Sequence, residues 1–190
     1  MKQTTMKNRT KFMAIAIAAL AIFLTTNVKA QTTTTTPPPS AWRLGIGLEA
    51  GAPTGNAHDF SNFELGGTAR LQYDASKSFA ITLTSGYYNM FGKNVSVVTP
   101  GGVVTAKASD LGIVPVKAGI KAFLAPSFYF GAEAGAGFET ISGGSTKLIL
   151  SPGIGYASKS WDVDLRYENF SGQSNNYGLV GLRIAYGFAL

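Results

Sequence analysis

The sequence predicts an eight-stranded, antiparallel, up-and-down β-barrel that crosses a membrane. Three observations predict it. Eight segments of about 10–14 residues alternate apolar with polar positions. Their polar positions carry charges and glycines together. The connections between them alternate short with longer.

The chain of 190 residues opens with Lys2, Lys7, Arg9 and Lys11, followed by an apolar run from Phe12 to Leu24 and the small-residue ending Val28-Lys29-Ala30. Residues 1–30 thus read as a secretory signal peptide cleaved after Ala30. The apolar run is too short for a transmembrane helix, which needs about 20 residues. Its removal takes five basic residues and no acid, so the formal charge falls from +6 to +1. The basic composition therefore gives no case for a nucleic-acid partner. There is no cysteine, hence no disulfide and no thiolate metal ligand. Residues 31–40, QTTTTTPPPS, cannot build a core and read as a disordered Thr/Pro tether.

Residues 41–190 form the barrel, with strands expected at 42–52, 63–73, 79–91, 111–124, 128–140, 147–157, 161–170 and 177–190. In the seventh, WDVDLRYENF, Trp161, Val163, Leu165 and Tyr167 alternate with Asp162, Asp164, Arg166 and Glu168. Strand length favours a bilayer crossing at a tilt. The connections after the second, fourth and sixth strands are short: DASKS, APS and SKS. Those at 53–62 and 92–110 are long, and those at 141–146 and 171–176 intermediate. Short turns belong to the periplasmic side and longer loops to the cell surface. Within 92–110, PGG between two Val-Val pairs predicts a hairpin standing above the barrel.

Sorting by parity gives one face without charges. The other carries Arg43, Glu49, Glu64, Arg70, Lys117, Lys121, Glu133, Glu139, Asp162, Asp164, Arg166, Glu168 and Arg183. Thirteen glycines share that second face, among them Gly47, Gly86, Gly119, Gly135, Gly155 and Gly181. Glycine packs nothing and weakens a strand, so a water-facing surface has little use for it. A narrow lumen does: long charged side chains fit only beside very small neighbours. Six basic against seven acidic groups permits the pairing that buried charge requires. The charged face is therefore expected inside, as a structural lattice that plugs the lumen. Apolar-face aromatics near the short turns, including Trp42, Tyr73, Phe79, Phe128, Trp161, Tyr186 and Phe188, suit a lipid–water boundary. Pro115 and Pro152 fall inside strands, where bulges near the outer rim would accommodate them.

The stretches IVPVKAGIKAFLAPSFYFGAEAGAGF, LSPGIGY and WDVDLRYENF resemble the small outer-membrane β-barrel family to which the OmpX, OmpW and OmpA barrels belong. The resemblance covers about 42–190 and implies the fold, an outer-membrane location and recognition by the barrel-assembly machinery. Members commonly end in an aromatic residue. Here Tyr186 and Phe188 keep the alternation, but the last residue is Leu190.

The residues offer no catalytic, cofactor or metal site. The single histidine, His58, lies near Asp59 and Ser61, with Ser109 and Asp110 on another loop, and nothing fixes a triad among them. GAEAGAG at 131–137 follows strand parity with no helix after it, so it is no phosphate loop. The expectation is a monomeric, non-enzymatic outer-membrane barrel with a structural or adhesion-like role. Its partners are the bilayer and its lipids, with loops 53–62 and 92–110 free to meet a surface partner. The alternatives are a narrow channel or transporter of small hydrophobes, and a soluble lipocalin-like barrel with the apolar face inside.

Overall fold

The computed structural model describes residues 41–172 and 175–190; the expected signal peptide and tether lie outside them. Ten strands form: β1 (Trp42–Gly55), β2 (Ser61–Ser76), β3 (Phe79–Gly92), β4 (Asn94–Thr99), β5 (Gly102–Lys107), β6 (Leu111–Phe123), β7 (Phe128–Glu139), β8 (Thr146–Ala157), β9 (Trp161–Ser171) and β10 (Tyr177–Ala189). Eight close into one antiparallel barrel in the order β1-β2-β3-β6-β7-β8-β9-β10, with β10 paired back onto β1. Strands β4 and β5 make the separate hairpin expected around Pro100-Gly101-Gly102, Val97 facing Val104 and Val98 facing Val103. The first two strands run further than their alternation suggests. A single 3-10 turn, Asn56–Asp59, replaces most of the expected loop 53–62.

Register sets the dimensions. Following paired residues once round the wall from Leu44 leads through Leu71, Leu83, Ala118, Ala134, Leu150, Asn169 and Gly178 to Thr54. The wall thus closes with a stagger of ten residues, which for eight strands means a tilt of about 40° and a backbone radius of about 8 Å. Ten is even, so a residue that faces in on one strand meets inward residues all the way round. The ten positions from Phe63 to Tyr73 on β2 rise about 25 Å along the axis at that tilt, the height of an apolar membrane band.

The faces divide as the parity predicts. Leu48, Leu65, Leu83, Ile120, Leu150, Ile154, Leu165 and Leu182 are exposed on the outside. An apolar surface this continuous far exceeds the few hundred Å² a water-soluble monomer shows; it suits lipid. The lipocalin-like alternative, which needs this face inside, is excluded. Aromatic rings band the wall near the short turns, where Trp42–Tyr73, Phe128–Tyr156 and Trp161–Tyr186 have centroids 4.8, 5.2 and 5.3 Å apart. Phe63 and Phe91, 6.0 Å apart, begin a second band near the loops that the sequence did not single out.

The strand prolines are accommodated without the expected bulges. The β3–β6 register is the same on both sides of Pro115, and the β8–β9 register on both sides of Pro152. Only the proline's own pair and one adjacent pair are missing, on one side of its strand, while on the other side Pro115 still pairs with Gly137 and Pro152 with Ala132. A proline lacks its donor toward one neighbour alone. At Pro115 the carbonyl on that side accepts a hydrogen bond from Ser85 Oγ at 2.9 Å.

Glycine makes the closest approaches inside. A Cβ on Gly135 would collide with the β6 backbone at Val116 and Lys117. Gly67, on the outer face, has nothing within 4 Å of the same position. Gly135→Trp is therefore expected to abolish the folded, heat-modifiable band in detergent electrophoresis, while Gly67→Ala should migrate as wild type. A Gly135→Trp protein that folds normally would reverse the assignment of faces.

Candidate functional site

Three zones follow one another along the lumen. In the middle lies an ion network built from six of the eight barrel strands. It joins ten of the thirteen charges singled out from the sequence: Arg70, Lys117, Lys121, Arg166 and Arg183 with Glu49, Glu133, Asp162, Asp164 and Glu168. Five cations meet five carboxylates, all at most half-exposed and most fully buried.

Glu133 is the hub. It pairs with Arg70 at 3.0 Å, with Lys117 at 3.3 Å and with Arg166 at 3.3 Å, and accepts from Thr84 Oγ1 at 2.8 Å. Lys117 also pairs with Glu168 and donates to Tyr88 Oη at 3.1 Å. Lys121 pairs with Asp162, whose second oxygen accepts from Tyr129 Oη at 2.7 Å. Arg166 holds Asp164 through Nε at 2.6 Å and lies 3.7 Å from Glu49. The hydroxyls of Tyr88, Tyr129 and Thr84 were not recognisable as part of this network from the sequence. They share the parity of the charges, and that was the only signal.

The three remaining charges lie elsewhere. Arg43 sits at the short-turn mouth, where Nη2 donates to the Lys159 carbonyl. Glu139 works at the loop end: it accepts from Tyr177 Oη at 2.9 Å and from the Ser145 amide at 2.9 Å, holding the β7–β8 loop. Glu64 is fully buried, and neither carboxylate oxygen has a hydrogen-bond donor among the described residues. Lys147, absent from the expected set, also points inward and is buried near the loops, with Nζ 5.8 Å from the centre of the Tyr177 ring. It shares the parity of Ile149 and Ser151 but begins its strand, before any alternation is established.

The loop-end third of the lumen is apolar. Tyr88 and Met90 near the end of β3, Ile113 near the start of β6, Ile149 early in β8, Phe170 at the end of β9 and Leu179 early in β10 are buried together. Phe170 and Tyr177 stack at 4.9 Å, and Ala57 of the 3-10 turn closes over the cluster. This plug separates the network from the loop end of the barrel. At the opposite end the lumen widens into a cavity of about 570 Å³ between the short turns.

At the surface, the hairpin is tied at its base. The Lys93 amide donates to the Phe60 carbonyl at 2.7 Å, the Ala108 amide to the Lys93 carbonyl at 2.9 Å, and the Gly92 amide to Asp110 Oδ1 at 2.9 Å. That last bond, more than Lys107 nearby, holds the Asp110 carboxyl below its ordinary value of 3.8. The residues weighed for a triad have these other engagements: Asp110 caps Gly92, and Ser61 Oγ donates to the Phe63 carbonyl at 3.0 Å.

Two outcomes follow. A depressed carboxylate stabilises the folded form above its ordinary value and loses that effect as pH falls through its folded value. Hydrogen-exchange protection at the Gly92 amide should accordingly drop below about pH 4 in the wild type and stay flat with pH in Asp110→Asn. In the lumen, Glu133→Gln leaves three cations short of a partner and should cost about 3–5 kcal/mol. Glu64→Gln alters a buried carboxyl that has no ion-pair partner or hydrogen-bond donor among the described residues and should change stability far less. Urea unfolding of the refolded protein measures both, and equal losses would contradict the contrast drawn here.

No family model matches the chain, and no curated protein matches its sequence. Solved structures do. The crystal structure of Ail, the attachment invasion locus protein of Yersinia pestis, aligns with 80% of this chain and 100% of its own at 14% identity, with a TM-score of 0.55. Ail in complex with the heparin analogue sucrose octasulfate aligns with 77% of this chain and 97% of its own, also at 14% identity, with a TM-score of 0.52. Ail is an outer membrane protein. At such identity the likeness is one of fold, and the fold this chain has is that of the small eight-stranded outer-membrane β-barrels.

Proposed function

We propose that the protein is a monomeric, non-enzymatic outer-membrane barrel that does not conduct and that acts at the cell surface through its β4–β5 hairpin. The observation that carries the reading is the contrast between the two parts. The lumen is filled from wall to wall by paired charge in the middle and by the apolar plug at the loop end. The hairpin, by contrast, stands free of the barrel sheet with both edges unpaired by other strands.

Its side chains suit contact with a partner. Val97, Val98, Val103 and Val104 are exposed, Val98 at 82%. Apolar residues on both faces of a two-stranded ribbon have no intramolecular reason to be there. Free strand edges recruit an extended segment of another protein by backbone pairing. That Ail is named for attachment and invasion supports an adhesion-like role for a barrel of this fold.

The narrow channel or transporter is the competing reading, and planar-bilayer recording separates the two. The refolded protein is expected to give no unitary current steps; reproducible steps would favour the channel. Val98→Asp combined with Val103→Asp should leave the heat-shifted band intact and lower attachment of expressing cells to a protein-coated surface several-fold. Unchanged attachment would remove the hairpin from the function.

A further inference from the structure

We propose that the cavity at the short-turn end is a binding site for a small soluble oxyanion carrying more than one negative charge, such as a pyrophosphate or a polycarboxylate. The cavity, about 570 Å³, has the size of a small-molecule site. Five basic side chains line it, Arg43, Arg70, Lys77, Lys159 and Arg183, against two acids, Asp74 and Asp162. Both acids are already engaged: Asp162 by Lys121 and Tyr129, Asp74 by Gln72 Nε2 at 2.6 Å. Arg70 and Arg183 are paired with network carboxylates in turn, so Arg43, Lys77 and Lys159 against Asp74 leave the cavity an excess of positive charge within low-dielectric walls, which concentrate its field.

Arg70 is taken up by Thr84, Asp164 and Glu133, but the guanidinium of Arg183 is only partly used. Arg183 is fully buried and donates from Nε to Thr68 Oγ1 at 2.8 Å. Its Nη1 lies 3.5 Å from Asp164, yet neither Nη1 nor Nη2 donates a hydrogen bond among the described residues. A buried donor without an acceptor is costly, and an oxyanion on the cavity floor would supply one. Two glycines leave the approach open. A Cβ on Gly45 would stand 3.6 Å from Arg183 Nη2, and one on Gly187 3.5 Å from Arg43 Nη2. The forked guanidinium matches phosphate and carboxylate geometry. The strand wall separates the cavity from lipid, so the ligand arrives from water at the short-turn end. The ion network and plug block its passage beyond, which makes this a site of capture and not of transit.

The test is calorimetric titration of the refolded full chain, in maltoside micelles, with inorganic pyrophosphate. The expected result is saturable one-to-one binding, weakened about tenfold by Arg43→Gln and at least as much by Arg183→Gln. Lys107→Gln, in the hairpin at the other end, should bind as wild type. Heat-modifiability verifies that each variant is folded; if Arg183→Gln is not, Arg43→Gln at the rim decides alone. Absence of saturation, binding unaffected by Arg43→Gln, or an equal loss in Lys107→Gln would overturn the site.

Discussion

Everything inside this barrel answers to a radius. Eight strands with a stagger of ten leave about 8 Å from axis to backbone, too little for a row of full-sized side chains on every strand. Charge within that space is affordable only where each group meets its opposite at short range. Glu133 does so by standing among Arg70, Lys117 and Arg166. The glycines opposite, Gly135 and Gly119 above all, make room by bringing one strand's backbone against its neighbour's side chains. Removing either the pairing or the glycines would leave the other without purpose.

The radius also explains why the lumen is not uniform. A charged layer can be satisfied where several strands contribute at one level, as Arg70, Glu133, Asp164 and Arg166 do. Toward the loops the partners thin out and apolar groups take over, from Tyr88 and Met90 to Phe170 and Leu179. Toward the short turns Gly45 and Gly187 remain inward-facing and the space stays open. The two mouths thus differ in kind: one sealed by grease, the other lined with unneutralised cation.

Much of this was legible in the sequence because strand parity is a local property. Asp162, Asp164, Arg166 and Glu168 announce their face within eight residues, and all lie inward. The hairpin was legible for the same reason, since Pro100-Gly101-Gly102 and its valines are neighbours. What parity cannot convey is height. Glu64 and Arg70 share a face of β2, yet only Arg70 reaches the network. Each strand gives the apolar plug only one or two greasy residues, near the end of an otherwise polar row. Only the stagger, which depends on all eight pairings at once, brings Met90, Ile149 and Leu179 together. The prolines misled for a related reason. A strand read alone suggests a bulge, whereas in the wall the missing donor concerns one neighbour and the other ladder holds the register.

The even stagger has a further consequence for assembly. Because the wall returns to its starting strand ten residues on, a slip by an odd number of residues in any one of the eight pairings breaks the match of faces. A slip of a single residue in one of them would hand the next strand's charges to the lipid and its leucines to the lumen. For β9 that would expose four ionised groups to hydrocarbon in one step. Closure thereby acts as a parity check on the wall: a barrel that shuts with its faces matched has no single odd slip among its eight pairings.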